Sequence, residues 1–384
     1  MEDKEKYLID IAKEKTYQNQ FDEYHKQFSE WRSRKDNPYG YSFVHDMREH
    51  TYVDGEGYYQ KKADVAERAA LTKCLSLLGA TMMTMLFIDA IIALVFYRLF
   101  NDPAANAVHY SELETQKTYF TPLVMTLYGA ANLTKYLIGL WIFFHFSKIP
   151  VKVAMPRSQK SRISKSGIFL MLVITVFGKV GNYLLNVIFG WMNVDCVYSV
   201  AVHNPDSILA DAIYVLFNCI LVSIASEILF RGAILQTFRQ FGDTFAMLAS
   251  GIAFSLSYYD ISTMGFAVLC SAALGLFTIK SGSLRNTIIM RIFASLASYT
   301  FTCVMLDNYS NGRIIVTCIY TFIVAVSAFI FARLICNGKW TFRIQDDPSE
   351  LSNINKLKML FTNTSITIWL VAVLAMYFLT VRFV

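Results

Sequence analysis

Glu227 and Arg231 stand four residues apart in Ser226-Glu227-Ile228-Leu229-Phe230-Arg231-Gly232, inside an apolar run that begins near Ile208. On an α-helix this spacing puts both on one face, with the acid N-terminal to the base, the favourable order for an intrahelical pair. Charges in so apolar a run are costly to bury alone, so they need a partner or a wet cavity and mark a functional-site candidate. Hydrolytic chemistry would need more. A second acid or a histidine must converge on Glu227 to activate water, and donors must hold the oxyanion that develops at a scissile carbonyl. The neighbouring apolar runs offer Phe254 to Asp260 and Arg291 to Ser295. None of the histidines (His25, His45, His50, His109, His145 and His203) falls between Glu227 and Ser295.

The elements that position these residues follow from composition. Of 384 residues 55% are hydrophobic and only 17% charged, too apolar for a soluble surface to cover. The fold class expected is an all-α polytopic membrane helical bundle of about eight or nine transmembrane helices, preceded by a polar N-terminal helical segment. Runs long enough for ~30 Å of hydrocarbon, about 20 residues as helix, lie near 71–97, 120–146, 167–190, 208–238, 244–258, 261–279, 284–306, 314–336 and 361–381, the fifth being short. About seventy polar residues precede the first run, so no cleaved signal peptide is expected.

Ser147 to Ser166 carries Lys148, Lys152, Arg157, Lys160, Arg162 and Lys165 without an acid, whereas Asn193 to Ser207 has Asp195 and Asp206 and no Lys or Arg. The excess of basic residues on cytoplasmic loops then puts the first loop and the N-terminus inside, the second loop and the C-terminus outside. The positive formal charge reports orientation and gives no reason to expect nucleic acid as a partner. The seven cysteines show no CxxC spacing, so neither a disulfide framework nor a metal site is expected, and no cofactor.

Residues 1–70 form the first of two expected domains, a cytoplasmic segment; residues 71–384 form the transmembrane bundle. In the first, Tyr17, Phe21, Tyr24, Phe28 and Trp31 recur at helical spacing and make an aromatic stripe, which either folds back on the protein or bilayer surface or docks a partner. Asp89, Lys135 and Lys179 are charges within runs, with Asp211 at the outer end of the fourth. They either pair locally, as Asp211 and Lys179 do near the outer surface on this reading, or line a polar path. His145, at the inner end of the second run, reads as structural.

Together, Ser226 to Gly232, Phe254-Ser255-Leu256-Ser257-Tyr258, Lys280-Ser281-Gly282-Ser283-Leu284 and Arg291-Ile292-Phe293-Ala294-Ser295 resemble the CPBP family of intramembrane proteases. That family includes type II CAAX prenyl endopeptidases and bacterial bacteriocin-processing proteins. Its motifs are Glu-Glu-x-x-x-Arg, Phe-x-x-x-His and His-x-x-x-Asn on separate membrane helices, and the resemblance covers roughly residues 140–337. It implies catalytic positions at Glu227 and Arg231, which are retained. The first motif glutamate falls on Ser226, the two histidines on Tyr258 and Arg291, and the asparagine on Ser295.

Serine does not take a proton from water near neutral pH, arginine with a pKa above ~12 is no base, and tyrosine titrates near ~10. Water activation by the family route is therefore disabled. Arg291 and Arg231 are expected to share the Glu227 carboxylate as a structural tie. The resulting expectation is a pseudoprotease, an integral protein of a bacterial plasma membrane that leans away from being an enzyme. It would bind or scaffold a membrane protein, or a lipidated or transmembrane peptide, within the lipid bilayer. The alternatives are an atypical endopeptidase that uses Glu227 alone, against which the flanking arginines argue by weakening the base, and a transporter or channel component that uses Asp89, Lys135 and Lys179.

Overall fold

The computed structural model describes residues 51–53, 57–59, 63–100, 121–156, 194–196, 204, 206–259, 264–306 and 351–383, with isolated positions between 171 and 191 and between 318 and 344. The aromatic stripe from Tyr17 to Trp31, and Lys179, lie outside them. Nearly all of the described chain is helical. Two antiparallel three-residue ribbons complete it, β1 (Thr51–Val53) with β2 (Gly57–Tyr59), and β3 (Val194–Cys196) with β4 (Val381–Phe383).

Helix α1 (Ala63–Phe100) buries Leu71, Leu75, Leu78, Met82 and Met85, a stripe at spacings of three and four, against α2 (Pro122–Ser147) and the last helix. Farther along, Phe87, Ile91, Leu94 and Val95 are exposed, as suits a surface that faces lipid. Thr121 caps α2 by accepting from the Val124 amide at 3.4 Å, and Pro122 opens its first turn. A short turn of helix, α3 (Val151–Ala154), follows. Next comes α4 (Ile208–Phe241), 34 residues capped by Ser207 and ended at Gly242, whose φ of 110° a side chain would resist. Then α5 (Asp243–Leu256), α6 (Met264–Ser281) and α7 (Leu284–Leu306) pack around it in sequence.

The last apolar run, expected near 361–381, is filled by α9 (Thr364–Thr380), and a further helix that the run did not include, α8 (Asn353–Thr362), precedes it and meets it at a 67° bend. Asn363 makes the corner. Its side-chain oxygen accepts from the Ile366 amide at 3.4 Å to start α9, while its nitrogen donates to the Thr72 carbonyl and Ser76 Oγ of α1 at 3.3 and 3.2 Å. Most of the runs expected at 167–190 and 314–336 lies outside the described residues. Among the described residues, Glu67–Ile92, Ile208–Phe241 and Met264–Ser281 are long and apolar enough to cross a membrane, four spans in all if the α8–α9 pair counts as one. Helix α2 has the length, but Asn132, Lys135 and His145 dilute its apolar character. Helix α5 has only 14 residues.

One end of the bundle is tied by polar side chains. Lys356 of α8 donates to the Phe241 carbonyl and lies 3.4 Å from Glu67 Oε1 of α1, while Glu67 Oε2 accepts from the Leu351 amide at 3.1 Å. Arg239 and Asp243 pair across Gly242. All four side chains are buried, so each charge is matched where water does not reach it.

The α1–α9 contact depends on Gly79, where an added Cβ would stand 2.6 Å from the Ser365 carbonyl carbon. Gly79→Val is expected to lower the thermal unfolding midpoint in detergent, as overpacking of about 1–3 kcal/mol does, and Gly79→Ala to lower it less. An unchanged midpoint for Gly79→Val would show that α1 and α9 are not in register at this contact.

Candidate functional site

Helix α4 reaches the site through two π-helical turns, Val215–Leu221 and Ile228–Ile234, on either side of a short α stretch, Val222–Glu227. Wide turns of this kind add a residue to a helix and change which side chains share a face, and they recur at functional sites. The α stretch carries Ser223, Ser226 and Glu227, and the second wide turn carries Arg231. All four side chains are buried.

Glu227 and Arg231 pair as their spacing predicts. Arg231 Nη1 lies 3.2 Å from Glu227 Oε1, with Glu227 and Arg231 both at 0% exposure. Arg231 Nη2 also donates to the Ser271 carbonyl of α6 at 3.3 Å, and its guanidinium carbon stands 4.2 Å from the centre of the Phe254 ring of α5. That ring is held edge-to-face between Phe230, at 5.3 Å, and Tyr258, at 5.4 Å. Beyond the ion pair, neither carboxylate oxygen of Glu227 has a hydrogen-bond partner among the described residues.

Arg291 is where the structure departs from the expected three-member tie. It does not sit on the Glu227 carboxylate. It donates through Nη2 to the Tyr258 hydroxyl and through Nη1 to Cys270 Sγ at 3.5 Å, and its guanidinium carbon lies 5.2 Å from the Phe254 centroid. The reason is its helix: α7 brings Arg291 to the end of α5 and the middle of α6, so a tyrosine hydroxyl and a thiol meet it first. Both guanidiniums thus lie against one aromatic ring, a contact worth about 0.5–2 kcal/mol, and only one of them has an acid.

The remaining two changed positions each find a partner at Ser223 of α4. Ser226 Oγ donates to its own helix at the Ser223 carbonyl, 3.1 Å away, and Ser223 Oγ meets Ser295 Oγ of α7 at 3.1 Å. Cys219 Sγ lies 3.9 Å from the Ser295 carbonyl. Ser226, Glu227 and Arg231 of α4, Tyr258 at the end of α5, and Arg291 and Ser295 of α7 therefore gather in one place. Among the described residues no three His, Cys, Asp or Glu side chains are grouped to hold a metal ion.

The other charges within spans lie apart from this group. Lys135 Nζ of α2 donates to Asp89 Oδ2 of α1 at 3.0 Å and lies over the Tyr136 and Tyr259 rings at 4.9 and 5.8 Å. Tyr259 sits in the left-handed region at φ 52°, and its hydroxyl donates to the Met82 carbonyl at 3.5 Å. Asp211 accepts from the Asn204 amide at 2.9 Å, closing the turn that leads into α4. His145 stacks on Trp141 with ring centres 5.5 Å apart.

Sequence reasoning passed over Ser223, Cys270 and the Ser271 carbonyl. Ser223 had a signal in its place one turn before Glu227. A backbone carbonyl on another helix has none.

With this geometry in view, residues 208–297 match the family model for type II CAAX prenyl endopeptidase Rce1-like proteins. The matched segment, about a quarter of the chain, runs from the start of α4 into α7 and holds all six motif positions. The resemblance carried by those motifs is thus found in the segment that bears them. No curated protein and no solved structure matches the chain.

Removing one partner of a buried ion pair costs roughly 3–5 kcal/mol, because the other charge is left without compensation. Arg231→Met is therefore expected to destabilise the protein more than Glu227→Gln does. The double variant is expected to recover much of the loss in thermal unfolding in detergent. Additive losses in the double variant would mean that the two side chains are not energetically coupled.

Proposed function

We propose that this Rce1-like bundle is a pseudoprotease, a protein that keeps the helical frame of an intramembrane endopeptidase and uses it to hold a membrane protein, or a lipidated or transmembrane peptide, without cutting it. The observation that carries the reading is the set of contacts made by Arg291. At a position where the resemblance implies an imidazole there is a permanent cation whose donors go to Tyr258 and Cys270, so no group beside Glu227 takes and returns a proton. Ser226 is likewise turned to its own helix.

On this reading the chain crosses a bacterial plasma membrane eight or nine times with its N-terminus in the cytoplasm, and the aromatic face from Tyr17 to Trp31 is a second contact for the partner. Two pairings support the topology. The β3–β4 ribbon joins a loop and a C-terminal segment that the charge rule puts outside, and Lys356 joins Glu67 to the end of α4, three segments that fall inside when nine spans alternate from an inside N-terminus. Asp89 and Lys135, two of the three charges that the transport alternative would use, are paired with each other.

A second reading, an atypical endopeptidase with Glu227 as its only base, is favoured by one observation. Both carboxylate oxygens are without hydrogen-bond partners among the described residues, so a water bound there would have an acceptor.

Purified protein reconstituted into vesicles separates the two. Prenylated peptides and transmembrane reporter peptides are expected to be cleaved no faster than in protein-free vesicles, and Glu227→Gln is expected to retain whatever reporter peptide the wild type retains. Cleavage by the wild type that disappears in Glu227→Gln would end the pseudoprotease reading.

A further inference from the structure

The site holds two guanidiniums and one carboxylate. Glu227 is committed to Arg231 at 3.2 Å, and no ion pair among the described residues includes Arg291. Arg291 is nevertheless only 8% exposed, and its partners are a neutral hydroxyl and a thiol, the latter a weak acceptor. Its third nitrogen, Nε, is buried and without a partner among the described residues. One positive charge therefore stands at membrane depth without an acid. A lone charge there is costly unless an anion joins it.

We propose that Arg291 receives the oxyanion head of an anionic amphiphile, a single carboxylate or phosphate group carried on an acyl chain, that enters from the bilayer between α6 and α7. Three features specify the ligand. The charge deficit is one, so a singly charged head neutralises the site. The walls around the guanidinium are the rings of Phe254, Tyr258 and Phe266, with centroids 5.2, 5.9 and 5.9 Å from its carbon, so the rest of the ligand must be apolar.

The approach is apolar as well. Val268 and Leu269 of α6 and Phe293 of α7 are 45%, 42% and 39% exposed, so the outer faces of the two helices that carry Cys270 and Arg291 are apolar and suit lipid. Arg291 is seven residues into α7, about 10 Å by helical rise, a depth that a headgroup anion reaches by short displacement from the bilayer surface. Ser295 follows one turn later, and its hydroxyl, shared with Ser223, is a donor within the same group. Glu227 acts in the opposite sense, since its negative charge repels an incoming anion and keeps Arg231 from competing for it.

This inference does not rest on the absence of proteolysis, and its test reads binding and not cleavage. The full-length protein in a neutral detergent is titrated with sodium oleate and with phosphatidylglycerol, and with oleyl alcohol and diacylglycerol as uncharged counterparts, while thermal stabilisation is followed and bound lipid is counted by native mass spectrometry. At least one anionic probe is expected to bind about tenfold or more tightly than its uncharged counterpart. Arg291→Gln is expected to bring the two together, Arg291→Lys to keep part of the difference, and Glu227→Gln to preserve or increase it. Oleate alone would assign the head to a carboxylate, phosphatidylglycerol alone to a phosphodiester, and both to the oxyanion charge they share. Equal binding of charged and uncharged probes would overturn the proposal, as would anion binding unaffected in both Arg291 variants. So would binding of a peptide with a free C-terminal carboxylate when neither lipid binds.

Discussion

A guanidinium and a carboxylate within 3.2 Å of each other, in the middle of an apolar helix, set the terms on which the rest of this bundle packs. Neither charge of the Glu227–Arg231 pair is stable there alone, because desolvation of an ion outweighs what a single contact returns. The pair must be closed over on every side. Helix α6 supplies a carbonyl to Arg231, α5 supplies the face of Phe254, and Phe230 of α4 holds that ring from its edge. The same ring then receives the second arginine from α7, so the orientation of α7 is fixed by the surroundings of a charge it does not pair with.

The same rule recurs at two other places among the described residues, and each joins different helices. Asp89 and Lys135 join α1 to α2, with Tyr259 bringing the end of α5 against both. Glu67 and Lys356 join α1 to α8 and, through the Phe241 carbonyl, to the last turn of α4. Apolar surface alone gives little specificity to helices surrounded by lipid, since lipid tails compete equally for it. Paired charges and side-chain amides such as Asn363 against Thr72 and Ser76 choose the neighbours instead.

What was legible in the sequence follows from the same physics. The Glu227–Arg231 pair could be read because four residues along a helix is a fixed geometry, and the span of α7 matched its apolar run at both ends. The place of Arg291 could not be read. Its helix was evident, but the rotation of α7 about its axis is settled by contacts with α5 and α6, so the expected tie to Glu227 gave way to Tyr258 and Cys270. The two wide turns of α4 left no mark in an uninterrupted apolar run. The run near 361–381 marked α9, but α8 before it went unread, because Asn353–Thr362 mixes polar and apolar residues too evenly to stand out by length and composition.

The retained and the changed positions of the motif now have one explanation. Glu227 and Arg231 are the two whose loss would strand a charge, and their retention requires no chemistry beyond folding. The four changed positions contain no proton carrier suited to neutral pH, yet each has a partner: Ser226 its own helix, Ser295 a serine on α4, and Tyr258 and Arg291 each other. A site that had merely decayed would leave unmatched polar groups where the lost side chains had been. Here the replacements bond across three helices, so the network holds α4, α5 and α7 together at the place where a hydrolytic centre would need room for water. Among the described residues the atoms without hydrogen-bond partners are two nitrogens of Arg231, Nε of Arg291 and both carboxylate oxygens of Glu227, groups of opposite charge. A ligand that reaches this site must choose between them, and an anion meets attraction at Arg291 only because Arg231 already neutralises Glu227.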